Sequence, residues 1–289
     1  MIRFLHRSFK LSLLGLLLSV ASVSIFAAGK VLYVTHEPGK WHRYTPQLKI
    51  FKEEIAAKAG WEVSVITGSY EAVIDQLKKR QFAKGYDAIV YNFCFALSDD
   101  LEACANVMRQ TRNVGVPAML VHCSMHSWWG SYKTGEAGAI GGDYKGKAKA
   151  LPELVAKWNE SNEGKRFPAW GDFTGVGSIK HGPKLPITVR KVSDHPAAQG
   201  LKDGWVTPNT ELYNNEYVLR RVKPILVGEQ EGQEDAIVMW TCQQGKSQVM
   251  GLSLGHGAVG TGPDEWSLPE FQDLMINGVD YLIANPKAE

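Results

Sequence analysis

Four short apolar runs alternate with helix-forming stretches along the first half of the chain, and this alternation leaves few folds open. The runs cover residues 30–35, 61–67, 87–93 and 116–121. Between the first two, Thr45 reads as an N-cap with Pro46 at the first helical position, Leu48, Phe51 and Ile55 form an apolar stripe, and Gly60 stops the helix. A second helix is expected over about residues 72–84, and a third opens at Ser98-Asp99-Asp100 and runs to about Arg112. Short continuous apolar runs of this kind read as strands buried on both faces. The expected fold is therefore α/β, a three-layer flavodoxin-like arrangement with a mainly parallel sheet and helices on both faces.

Beyond the fourth run the pattern weakens. Residues 130–173 read as an insertion over the strand ends, with one helix at about residues 150–159. Strands are expected at residues 187–192 and 224–229, followed by a hairpin, 235–242 with 247–253, about Gln244-Gly245. Ser267-Leu268-Pro269-Glu270 has capping-box spacing and opens an amphipathic helix to about Ala284. Repeats and linkers are absent from the sequence, so residues 29–289 are read as one domain.

Residues 1–28 read as a secretory signal peptide. Arg3, Arg7 and Lys10 precede an apolar run from Leu11 to about Phe26, and small residues follow at Ala27-Ala28-Gly29. A periplasmic or secreted protein is expected. Loss of those three cations, with no acid among them, takes the formal net charge from +2 to −1. A near-neutral chain has no basic footprint for nucleic acid. A second long apolar segment is absent, so no stable membrane span is expected after cleavage. The four cysteines, Cys94, Cys104, Cys123 and Cys242, are widely spaced and permit three disulfide pairings.

The chemistry gathers at the ends of the apolar runs. His36, His42, His122, His126 and His256 all follow predicted strands, and ligands of open α/β sheets bind outside the carboxyl ends of the strands. One use of such a pocket is a divalent metal site. Its candidate ligands are His122, His126 and His256, with Glu211 or Glu216 completing the set; His122 and His126 have i, i+4 spacing. A second use is metal-free acid–base catalysis by His122 and His256, with Glu211 orienting a histidine or acting itself. His42, His126, His181, Asn92, Trp41 and Trp128 are the expected substrate-binding residues; Trp41, Trp128, Trp129 and Trp266 offer flat apolar walls of the kind that suits sugar rings. A third use is nucleophilic attack by Cys123, although the small glycine flanks of a nucleophile elbow are missing. A disulfide between Cys94 and Cys123 stays open.

At these residues the chain resembles the ThuA-like family, trehalose-utilisation proteins with a class I glutamine amidotransferase-like fold. The resemblance is carried by Trp41-His42 with Thr45-Pro46, Val121-His122 with Met125-His126-Ser127, Phe173-Thr174-Gly175-Val176 with His181, His195-Pro196 with Gly200-Leu201, Glu211-Leu212-Tyr213 and Leu254-Gly255-His256. It implies the amidotransferase-like architecture without its Cys-His-Glu triad, so the fold does not license amidotransferase activity. It also implies catabolism of disaccharides or 3-keto-sugars beside a sugar oxidoreductase. A small-molecule carbohydrate is the implied ligand, turned over by hydrolysis, elimination or isomerisation. A non-catalytic carbohydrate-binding protein and a metal-dependent hydrolase of another substrate are the alternatives.

Overall fold

The computed structural model describes residues 28–128, 132–133, 149–150, 152–178, 180–257 and 264–287. The signal-peptide reading, Trp129 and most of the inserted segment lie outside them.

Nine strands form the central sheet: β1 (Lys30–Val34), β2 (Glu62–Ile66), β3 (Ala88–Tyr91), β4 (Ala118–Val121), β5 (Thr188–Lys191), β6 (Trp205–Val206), β7 (Val222–Glu229), β8 (Ala236–Gln244) and β9 (Ser247–Leu252). Their order is β6-β5-β7-β8-β9-β4-β3-β1-β2. The five strands from β9 to β2 run parallel, and those from β6 to β9 pair antiparallel. β9 belongs to both halves, closing the expected hairpin with β8 while pairing parallel with β4. Its direction carries His256 to the same edge as His122.

Period-2 alternation assigns each strand's side chains to one of two cores. Val31, Tyr33, Val90, Met119 and Val121 face Phe51, Ile55 and the carboxy-terminal helix Pro269–Ala284. Leu32, Val34, Ile89, Tyr91 and Leu120 face the helices Tyr70–Lys78 and Leu101–Arg109. Both faces of β1, β3 and β4 are thus covered, as their apolar character requires, while the edge strand β2 is only partly buried.

Several local expectations shift. Tyr44–Ile50 is helical and continues through a π-turn at Phe51–Ala56, so Thr45 lies inside the helix and Arg43 stands at the N-cap without a side-chain cap. The Thr45 amide is taken instead by Glu37, whose carboxylate also accepts from Gly39 N and so ties down the loop bearing His42. The second helix begins earlier than expected because Ser69 Oγ caps it through Ala72 N, and it ends at Lys78. No capping box forms at Ser267: Leu268 is the N-cap, with Pro269 in the first turn.

Candidate functional site

Loops leaving the carboxyl ends of β1, β4 and β9 bring His42, His122 and His256 together. The ring centroids lie 4.8 Å apart for His42 and His122, 5.0 Å for His42 and His256, and 5.4 Å for His122 and His256. A short antiparallel ribbon, Thr210–Tyr213 against His181–Leu185, covers this edge and delivers Glu211 and Tyr213 from outside the main sheet. Glu211 Oε2 lies 3.5 Å from His122 Nε2 and 3.2 Å from His256 Nδ1, while Oε1 lies 3.6 Å from both His181 Nε2 and Lys184 Nζ. Trp41, Cys94, Cys123, His126, Glu211 and Tyr213 are among the residues around an adjoining cavity of about 220 Å³.

His122 sits where β4 turns abruptly, with φ of 45°. That left-handed conformation costs a non-glycine residue roughly 1–2 kcal/mol and collects at functional sites. The strained elbow therefore carries an imidazole, with Cys123 one position beyond it. His122 Nδ1 donates to Ser253 O at 2.7 Å, which leaves Nε2 as the lone-pair nitrogen and Tyr213 Oη as its donor at 3.0 Å. His122→Gly and His122→Ala both remove the imidazole but differ in backbone strain. The Gly variant is expected to be more stable than the Ala variant by about 1–2 kcal/mol, measured by urea unfolding; equal midpoints would refute strain at the elbow.

The electrostatics of the site set buried rings against a carboxylate. Burial drives His42 down to about 2, reinforced by its repulsion from charge on His122 and His256. His122 is lowered by burial, against the pull of Glu211. Burial pushes Glu211 upward, but its contacts with His122 and His256 outweigh this and hold it well below the usual carboxylate range. Burial raises Tyr213, keeping its hydroxyl protonated, and raises Cys123 far above a thiolate range. Cys123 as an activated nucleophile is therefore not supported, and all four cysteines are free thiols.

Other candidates have different roles. His126 leaves the metal-candidate group: its Nε2 lies 2.8 Å from Ser178 Oγ and its ring stacks on Tyr213 with centroids 4.0 Å apart. Its position on the short 3₁₀ turn His122–His126 makes the i, i+4 spacing irrelevant to a shared ion. Trp128 is fully buried among Phe93, Phe95 and Trp170, and Trp266 is buried with its Nε1 donating to Gly255 O, so neither is a pocket wall. Trp41 is 46% exposed and does line the cavity. Asn92 is buried under the site, donating to Tyr33 Oη and Gln47 Oε1, while Gln47 Nε2 reaches the His256 carbonyl. It supports the loop rather than meeting a ligand. His36 accepts from Cys94 N and packs on Phe95, and Glu216 accepts from Asn214.

Three contributors were missed in the sequence reading. Tyr213 and Lys184 point to the cavity because of the register of the small ribbon, where Glu211 pairs with Lys184 and Tyr213 with His181. Glu265, fully enclosed, accepts from Gly255 N, His256 N and Thr210 Oγ1, and so ties the His256 loop to the Glu211 strand. A lone acid far along the chain gave no periodic signal; only Thr210 next to Glu211 hinted at a partner.

An α/β protein with histidines and one carboxylate gathered at the carboxyl edge of its parallel strands is the class these features define. No family model and no curated protein matches the sequence. Among solved structures the chain is similar to a ThuA-like protein from Parabacteroides merdae ATCC 43184, with TM-score 0.64 and 13% identity over 91% of this chain and 92% of that one. A ThuA-like protein from Bacteroides uniformis ATCC 8492 gives TM-score 0.58 and 14% identity over 90% and 92%. A cold-adapted β-galactosidase from Rahnella sp. R3 gives TM-score 0.51 and 10% identity, over 89% of this chain but 31% of that one. The chain thus has the ThuA-like fold. Among the described residues, no helix is long and apolar enough to cross a membrane.

Proposed function

We propose that the protein is an enzyme of carbohydrate metabolism that acts on a glycoside or a 3-keto-sugar at the cluster around Glu211. The observation that carries this reading is the placement of the Glu211 carboxylate among buried imidazoles beside a small, partly aromatic cavity. At about 220 Å³ the cavity falls below the ~300–1,000 Å³ of drug-sized pockets, which favours one sugar ring over a whole disaccharide. Trp41 offers an apolar face for the C–H side of such a ring, and Lys184 and His181 offer polar contacts for its hydroxyls.

A keto group acidifies the neighbouring C–H, so a modest base suffices to remove that proton. Glu211 is placed to be the base, and the protonated Tyr213 hydroxyl is a donor for the developing enolate oxygen. The ThuA-like fold and the leader-like residues 1–28 favour sugar chemistry in the periplasm or outside the cell, with an oxidoreductase supplying the oxidised sugar.

The test is incubation of the purified protein with 3-keto-glucosides, simple glycosides and trehalose, followed by chromatography of the products. The expected result is turnover of the keto-glucosides and none of unoxidised trehalose. Saturable sugar binding without product from any of them would replace the enzyme by a carbohydrate-binding protein.

A further inference from the structure

The geometry points to a divalent transition-metal site held by His42, His122 and His256, with the Glu211 carboxylate beside it. It deepens the reading just given, since it lies at the same centre, but it is measured without any substrate. One ring nitrogen from each histidine lies within 4.8 Å of those of the other two, and all three residues are buried. Imidazole nitrogens about 2.0–2.1 Å from a tetrahedral ion stand about 3.3 Å apart, so a contraction of about 1.5 Å at most completes the site. The rings meet edge-on, at 88°, 80° and 70°, rather than stacking as packed aromatics do.

Unsatisfied atoms mark the same spot. His42 Nδ1 is buried without a hydrogen-bond partner, and His256 Nδ1, though 3.2 Å from Glu211 Oε2, lacks the alignment of a hydrogen bond. A buried polar atom left in that state is unfavourable, having given up its water without gaining a partner. A cation between them satisfies both and balances the Glu211 charge, whose Oε2 faces the rings while its Oε1 faces Lys184. Outer contacts already orient the ligands, as metal-binding histidines require: His122 Nδ1 donates to Ser253 O, and His42 bonds to the His256 backbone.

The site differs from the one the sequence suggests, because His42, from the loop after β1, replaces His126. Three imidazoles suit zinc and its neighbours in the first transition row rather than magnesium or calcium. Metal binding requires the Tyr213 hydroxyl to turn away from His122 Nε2, where it now donates. With the three histidines committed to an ion, Tyr213 and His181 remain for contact with substrate.

The experiment is a titration of the chelator-treated protein with cobalt(II), followed by its visible absorption, with elemental analysis of the zinc-loaded protein beside it. About one ion per chain and an intense tetrahedral cobalt band are expected. His42→Ala, His122→Gly and His256→Ala are each expected to weaken binding about tenfold or more, whereas His126→Gln and Tyr213→Phe keep it. Circular dichroism checks that the variants fold, and for any that do not, the band of the unaltered protein decides. Failure of the unaltered protein to bind cobalt, zinc, manganese, iron(II) or nickel stoichiometrically would overturn the site, as would unchanged affinity in all three histidine variants. Metal bound without sugar turnover would uphold the site and remove the sugar reading. Full sugar turnover by metal-free protein would uphold the sugar reading and overturn the site as its centre.

Discussion

Replacing Glu211 with Gln is expected to lower turnover about 10²–10⁴-fold, the range that a positioned general base supplies, with the fold retained. The amide keeps the volume but loses the charge and the proton affinity. Glu211 faces His122 and His256 through one oxygen and His181 and Lys184 through the other. Burial alone would favour its neutral form, but the surrounding contacts keep it ionised, so its lone pair is free to accept a proton, at a cost in basicity that the acidified C–H of a keto-sugar offsets. The measurement is kcat on whichever keto-glucoside the unaltered protein turns over. A loss of less than about threefold would remove Glu211 from the chemistry and leave the base to another group.

The second large effect falls on Glu265, which touches no substrate and acts through its neighbours. Glu265→Ala removes the acceptor of Gly255 N at 3.1 Å, His256 N at 2.9 Å and Thr210 Oγ1 at 2.7 Å. Two buried backbone donors left without partners, at roughly 1–3 kcal/mol each, give an expected loss of about 3 kcal/mol. For a chain of this length that corresponds to a melting temperature lower by roughly 6–12 °C. Activity should fall as well, because the loop that aims His256 is no longer tied to the strand that carries Glu211. Burial raises the Glu265 carboxyl, so the neutral amide of Glu265→Gln, which retains an acceptor oxygen, should cost much less. A scanning-calorimetry midpoint for Glu265→Ala within about 2 °C of the unaltered protein would show that the loop does not depend on this anchor.

The parallel half of the fold could be read from residue pattern because its information is local. β1, β3 and β4 are short apolar runs, β2 alternates apolar Val63 and Val65 with polar Glu62 and Ser64 as an edge strand can, and the helices between them carry their own stops and caps, such as Gly60 in the left-handed conformation and Asp100 accepting from Ala103 N. The hairpin of β8 and β9 was equally readable, since Gln244-Gly245 separates two apolar stretches. The antiparallel half was harder. β6 is two residues long, and the ribbons that cover the sheet edge consist of two- to five-residue strands whose pairing depends on distant partners.

The residues of the site divide along the same line. His42, His122 and His256 follow strand ends, so a sheet-edge rule applied to the sequence was enough to group them, and Glu211 entered only as a candidate carboxylate beside Glu216. Sequence spacing also promoted His126 over His42 as a ligand, and this was misleading: a 3₁₀ turn has three residues per turn, so positions four apart do not share a face as they do in an α-helix. Trp128 and Asn92 look like ligand contacts because they lie beside strand ends, but side-chain direction sends both inward, and direction is set by packing that no short window of sequence contains. Composition and periodicity determined the layers and the edge where chemistry gathers, because apolar burial and strand direction follow from local pattern. Only the tertiary structure decided which ring nitrogens converge, that Tyr213 and Lys184 join them, and that Glu265 ties the His256 loop to the Glu211 strand, because most of those contacts join residues tens to more than a hundred positions apart.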